Sequence, residues 1–253
     1  MQSGTWHGVS VAELERASHS AVPAARNAFD GPFLVRAFLG GTGRANAASS
    51  TDPASDASLP ERLERIEAAY RRLGLRPRFR STPLDPPELE EVLLERGYAL
   101  GEESLVMAGP LAGFAAAEPD VVALPGPEPE WLSVLATAEH QTAARRQEKL
   151  LAPEMMMIPA AWLLLRQGGQ PVATAQVALD GPLVGFFDVV TDPAFRRRGL
   201  GRRILAAGAA WGQAQGGDTG WLQVSAANEP ACALYRALGL REIYRYRYFL
   251  GAA

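Results

Sequence analysis

The stretch Phe186-Phe-Asp-Val-Val-Thr-Asp-Pro-Ala-Phe-Arg-Arg-Arg-Gly-Leu-Gly-Arg-Arg-Ile-Leu205 leaves this chain few ways to fold. A β-rich run stops at Asp192-Pro193, an Arg- and Gly-rich turn follows, and apolar residues then recur at Leu200, Ile204, Gly208 and Trp211 with helical spacing. The order is strand, short loop, helix. Gly199 and Gly201 remove side chains where the backbone bends into the helix, so its amides can point at an anion, and the helix dipole adds to their pull. The expected guest is a phosphate.

A second pattern lies downstream. Trp221-Leu222-Gln223-Val224 reads as a strand, and Asn228-Glu229-Pro230 opens a helix ending in Leu234-Tyr235-Arg236-Ala237-Leu238-Gly239-Leu240. The two motifs, Arg196-x-x-Gly199-x-Gly201 and Asn228 through Leu234-Tyr235 to Gly239, resemble in order and spacing those of GCN5-related N-acetyltransferases, the GNAT superfamily. The resemblance implies acetyl transfer from acetyl-CoA to an amine within a ternary complex. It implies that the backbone of Val189, Val190 and Thr191 pairs with the pantetheine amides. The pyrophosphate then falls to the turn Arg196, Arg197, Arg198, Gly199, Leu200, Gly201 and Arg202, and the pantetheine arm touches Asn228. Tyr235 matches the family's general acid toward the coenzyme sulfur.

Each residue also has a plainer reading. Ala231, Leu234, Tyr235 and Leu238 share helical spacing, so Tyr235 could be core. Asn228 suits an N-cap before Glu229-Pro230, which is compatible with coenzyme contact. Asp188, between Phe187 and Val189, is a candidate base if buried, or a strand residue facing an arginine. Glu139 and His140 lie on the helix that borders the acceptor in the resembling family. His7 and His19 share no metal-ligand spacing, and no metal is expected. Met155-Met156-Met157 reads as gap-filling or as a flexible acceptor wall. Tyr244, Tyr246 and Tyr248 alternate with Arg245 and Arg247, as in a half-buried edge strand whose rings could face the acceptor.

A net charge of −3 without a wider basic patch argues against a nucleic-acid partner despite Arg196-Arg197-Arg198. Lys149 is the sole lysine among 25 basic residues, so arginine is the default cation here. Cys232 is the sole cysteine, which suits a reducing compartment. With no signal-like N-terminus and no apolar run of about 20 residues, a cytoplasmic protein without membrane contact is expected. The expected partners are a small-molecule amine and, if any, a second copy of the chain. The alternative is a coenzyme-binding module without turnover.

The halves repeat one plan. Gly74 and Gly216 end one pair of helices, Phe79 and Trp221 occupy the next pair of strands, and Gly97 and Gly239 end the second pair of helices, each pair 142 residues apart. The expected fold is therefore α/β (α+β): two GNAT-like mixed, mostly antiparallel sheets flanked by helices, arranged as an internal duplication. The expected boundaries are a degenerate N-terminal domain (1–112), a linker (113–129) and a catalytic domain (130–253). At the same offset the first half carries Ala54-Ser-Asp-Ala-Ser-Leu59 in place of the phosphate turn, so a single coenzyme site is expected, with the first half completing the sheet or walling the acceptor pocket. Ala47 to Ser58 reads as an exposed loop.

Overall fold

The computed structural model describes residues 8–139 and 141–252. The first half runs α1 (Val11–Ala21), β1 (Arg26–Asp30), β2 (Phe33–Ala37), β3 (Ala48–Ser50), α2 (Leu59–Arg72), β4 (Arg78–Ser81), α3 (Leu89–Glu95), β5 (Ala99–Leu100) and β6 (Ser104–Pro110). The second runs β7 (Val121–Leu124), α4 (Pro129–Leu135), α5 (Ala143–Met155), β8 (Ala160–Gln167), β9 (Gln170–Asp180), β10 (Leu183–Thr191), α6 (Leu200–Ala214), β11 (Thr219–Ser225), α7 (Glu229–Ala237) and β12 (Arg241–Leu250). Local chemistry sets the helix starts. Ser10 and Glu13 form a reciprocal capping box on α1. Asn228 caps α7 by accepting the Ala231 amide at 3.2 Å.

The expectation of two separate sheets is overturned. Among the described residues twelve strands form one mixed sheet, ordered β1-β2-β3-β4-β12-β6-β11-β10-β9-β8-β7, with β5 on the far end of β12. The cause lies in the strands that follow the last helix of each half. β6 pairs antiparallel with both β11 and β12. β12 runs from β6 onto β4 and β5. Each half lacks one strand and takes it from the other, so no open edge separates them.

Side chains alternate across this sheet, as the pleat requires. Leu105 and Met107 of β6, with Leu222 and Val224 of β11, pack under α6 and α7. Val106 and Ala108, with Trp221, Tyr244 and Tyr246, pack on the opposite face with Leu14 and Ala17 of α1. A third cluster joins Leu63, Ile66 and Tyr70 of α2 to Phe79 and Phe249, and a fourth joins Trp131 of α4 to Trp162. α1, from the first half, thus rests on strands of the second.

Three smaller readings change as well. β12 lies mid-sheet rather than at an edge, with Tyr244 and Tyr246 buried and Arg245 exposed. The stretch read as a linker carries β7, which pairs with β8, and Arg203 of α6 is ion-paired to Glu118 and Asp120. The loop predicted from Ala47 begins with β3, whose small residues are buried between β2 and β4. His7 and His140 lie outside the described residues. Among the described residues no helix is long and apolar enough to cross a membrane, and no cluster of three or more His, Cys, Asp or Glu could hold a metal ion.

Candidate functional site

β10 and β11 run parallel only as far as the pair Phe186 and Leu222. Beyond it β10 continues to Thr191 and β11 to Ser225 without pairing, so the strands part and leave a gap. A bulge against β9 between Phe187 and Val190 helps to open it, with Asp188 at φ +50°. Past the bulge, Val189 packs toward the α6 face and Val190 toward the α4 face. Their peptide groups therefore lie in the plane of the sheet, at the gap. Strand geometry presents a free backbone edge there, at the three positions assigned to pantetheine.

The turn expected to hold phosphate sits at the end of the same strand. Asp192 accepts the Ala194 amide at 2.8 Å, closing a short 3-10 turn over Pro193–Phe195. Arg197 (φ +65°) and Gly199 (φ +76°) are left-handed, and Gly199 caps α6. The Gly199 carbonyl takes up the amides of Arg202 and Arg203. Among the described residues no backbone carbonyl takes up the amides from Arg197 to Gly201. Arg196, Arg197, Arg198 and Arg202 are exposed around the turn, and Leu200 is buried as its anchor. Arg196 also donates to the Thr191 carbonyl at 3.3 Å. These residues fit a diphosphate: free amides, a helix dipole and exposed guanidiniums at one corner.

A cavity of about 380 Å³ fills the gap and is lined by Asp188, Val189, Val190, Asn228 and Tyr235, so the structure brings these five candidates together, while Thr191 and the turn from Arg196 to Arg202 lie outside its lining. A larger hollow of about 1410 Å³ beside α1 shares none of its lining. Tyr235 is buried, and burial, then the neighbouring Cys232, pushes its phenol up to about 12. Asp188 is ion-paired with Lys149 of α5. Burial raises its carboxyl, but the Lys149 charge, its hydrogen bond, and Arg44 and Arg145 outweigh burial and hold it below the usual carboxylate range.

The first half was expected to complete the sheet or wall the acceptor pocket, but sequence reasoning did not single out the residues that form the wall. Thr42, Gly43 and Arg44 line the cavity with Arg145, Gln223, Tyr246 and Tyr248. The loop carrying them is held by a second buried carboxylate. Glu148 accepts from the amides of Leu39 (3.1 Å), Gly41 (2.9 Å) and Thr42 (2.5 Å) and from the Asn46 side chain (2.8 Å). A Cβ on Gly41 would stand 2.5 Å from the Arg145 amide nitrogen, so only glycine admits this approach to α5. The unpatterned loop gave no signal of its own in the sequence.

Comparison with known proteins gives the family and the fold. Residues 9–249 match the family described as "Probable histone acetyltransferase Rv0428c C-terminal". The chain belongs to that acetyltransferase family. N-alpha-acetyltransferase RimI of Mycobacterium tuberculosis is 31% identical over 138 residues, or 48% of this chain and 85% of the relative. The [ribosomal protein bS18]-alanine N-acetyltransferase of Escherichia coli (strain K12) is 40% identical over 80 residues, or 31% of this chain and 53% of the relative. The chain spans about half the length of such bS18-alanine acetyltransferases. Among solved structures, a GCN5-related N-acetyltransferase from Kribbella flavida superposes with TM-score 0.69 at 21% identity, covering 97% of each chain. A tandem GNAT protein from the clavulanic acid biosynthesis pathway does so with TM-score 0.63 at 11% identity, covering 97% of this chain and 90% of that one. The fold is that of the GNAT superfamily.

Proposed function

We propose that this protein transfers an acetyl group from acetyl-CoA to the primary amine of a small, amino-acid-like acceptor by direct attack, at one site in its C-terminal half. The parting of β10 from β11, which leads into a helix start with free amides, carries this reading. The bound co-substrate supplies the thioester, and the residues around it orient, bind and move protons. Val189, Val190 and Thr191 align the thioester, the turn from Arg196 to Arg202 anchors the diphosphate, and Asn228 steadies the arm between them. The new C–N bond forms as the C–S bond breaks, and the amine loses one proton while the sulfur accepts a hydrogen bond or proton.

Tyr235 is the donor assigned to that sulfur. Full transfer from a phenol near 12 to a thiolate with a cysteine-like pKa of about 8.5 is uphill by roughly 5 kcal/mol. Tyr235 therefore helps mainly as a hydrogen-bond donor that stays protonated at every working pH. Asp188 is the assigned proton acceptor. Held low by Lys149, it is a weak base that steadies the ammonium and passes its proton to water rather than keeping it.

The constant offset of 142 residues supports an internal duplication whose first copy has lost the site. Gly74 and Gly97 after α2 and α3, like Gly216 and Gly239 after α6 and α7, have positive φ. In the first copy the loop before α2 is filled by its own chain. Glu88 accepts from Ser55 and from the Asp56 amide (2.8 Å), and Asp56 accepts from the Ser58 amide and pairs with Arg62. Two carboxylates already occupy and repel where a diphosphate would need to sit. Calorimetry with acetyl-CoA, followed by thiol release across a panel of amines, tests the reading. One equivalent bound with turnover is expected, whereas binding without turnover would favour a coenzyme-sensing module.

A further inference from the structure

We infer that the acceptor carries an oxyanion, a carboxylate or a phosphate, and that Arg44 holds it; the inference rests on the acetyl-transfer reading and names its substrate class. Arg44 projects from the short 3-10 turn Gly43–Ala45 into the cavity wall. Its Nη1 donates to Gln223 Oε1 at 3.2 Å and its guanidinium lies 5.3 Å from the Phe187 ring centroid. Its Nε is buried and has no hydrogen-bond partner. Among the described residues no carboxylate lies within ion-pair distance of it.

The Nε of Arg78, over the Tyr248 ring, is likewise buried without a partner, but Arg78 does not line this cavity, and the other buried cations are satisfied. Buried Arg80 is paired with Glu15, Lys149 with Asp188, and buried Arg36 donates to three carbonyls and the Asn27 side chain. Arg44 is half-buried, and an Nε withdrawn from water without a partner is costly, so the fold stabilises its placement by other means. Arg36 donates to the Arg44 carbonyl at 2.9 Å, and Glu148 fixes the amides just before it. The donor fork is thus held ready before any ligand arrives, which lowers the cost of binding.

The surrounding charges point the same way. The positive charge of Arg44 is felt at Asp188 across the cavity. Asp188 is neutralised by Lys149, Glu148 is taken up by backbone amides, and Glu139 is exposed at the rim. A planar guanidinium offers parallel N–H groups to two oxygens of one oxyanion. A neutral amine would leave the buried Nε unanswered.

The test uses the full chain with acetyl-CoA and matched acceptors: α-, β- and γ-amino acids, their amides, and the aminoalkylphosphonates of equal length. For at least one length the acid or phosphonate should exceed the amide in kcat/KM by about tenfold or more, the scale of one charged hydrogen bond. The better of the two arms identifies the oxyanion. Arg44→Gln should remove the preference mainly through KM, and Arg44→Lys should restore part of it. Amides turned over as well as the acids and phosphonates, a preference that survives R44Q, or no turnover of any anionic acceptor with acetyl-CoA bound would each overturn the inference alone. Failure of the unaltered protein to bind acetyl-CoA in calorimetry would overturn the acetyl-transfer reading and this inference with it.

Discussion

Lys149, the one lysine in the chain, is ion-paired with Asp188 at the bulge where β10 leaves β11, each side chain only 6% exposed. The pair ties α5 to the strand edge assigned to the thioester. Burial alone would neutralise both groups, so each keeps its charge through the other. Removing one partner should be far worse than removing both. Lys149→Met or Asp188→Asn should lower unfolding free energy by about 3–5 kcal/mol, and the double variant by clearly less. Urea titrations at pH 7 measure this, and additive losses would mean that the two charges are not coupled.

Tyr235 should show a different signature. Tyr235→Phe removes one hydroxyl from a packed ring, so the fold and acetyl-CoA affinity should hold while kcat falls by about 100-fold. Because the phenol is pushed up to about 12, the tyrosine should contribute no falling limb to kcat between pH 8 and 10. A limb there that vanishes in the phenylalanine variant would place the proton donor in a different environment.

The strand, turn and helix from Phe186 to Leu205 were legible because they are local: two glycines, a strand before them and a helical stripe after them lie within about twenty residues. The helix that Asn228 caps and that carries Tyr235 was legible for the same reason. The single sheet was not, since the exchange of β6 and β12 depends on pairing between strands more than a hundred residues apart, and each strand reads the same in either sheet. Arg44 was hidden in a loop whose shape comes from Glu148, a residue on a helix far along the chain. Asp188 was noticed as a buried carboxylate beside an arginine, but its partner proved to be the lysine that the arginine-rich composition made easy to pass over.

Gly201 and Gly199 test the turn assigned to the coenzyme. A Cβ there would stand 3.3 Å from Leu234 Cδ2, on the helix that carries Tyr235. Gly201→Val should press α6 away from α7 and weaken acetyl-CoA binding at least tenfold. Gly199→Ala meets no neighbour but forces a side chain to φ +76°, a cost of about 1–2 kcal/mol. Calorimetry on both variants decides the matter, and unchanged affinity in both would remove the turn from the coenzyme site.

Asp85 gives a prediction about pH. One of its oxygens accepts the Thr82 amide at 3.1 Å, the other is buried without a partner, and burial pushes its pKa up to about 7. A carboxyl raised above its unfolded value favours folding while protonated, so this contribution is present below about pH 4 and is lost as pH rises through 7. Three pKa units would be worth about 4 kcal/mol, and partial exposure of the residue reduces this to roughly 1–2 kcal/mol. Asp85→Asn should therefore raise Tm at pH 8 and leave it nearly unchanged below pH 4, where the carboxyl is protonated in both states. Equal shifts at both values would exclude a titration effect.

The exchanged strands make the strongest demand. A fragment of residues 130–253 would contain the phosphate turn, Asp188, Asn228 and Tyr235, yet it would lack β6, the strand that lies between β11 and β12. Leu105, Val106 and Met107 of that strand are at most 2% exposed, and burying such side chains stabilises by about 1.5–3 kcal/mol each. Their loss would remove roughly 5–9 kcal/mol, comparable with the whole stability of a domain. The fragment would also lose Leu14 and Ala17 of α1 from the other face of the sheet, and its β11 edge would stand open to other chains. It should be unfolded or aggregated by circular dichroism and should not bind acetyl-CoA, while mixing with residues 1–129 should restore both structure and binding. A cooperative melt and coenzyme binding by the fragment alone would show that the second half does not need the strand it borrows.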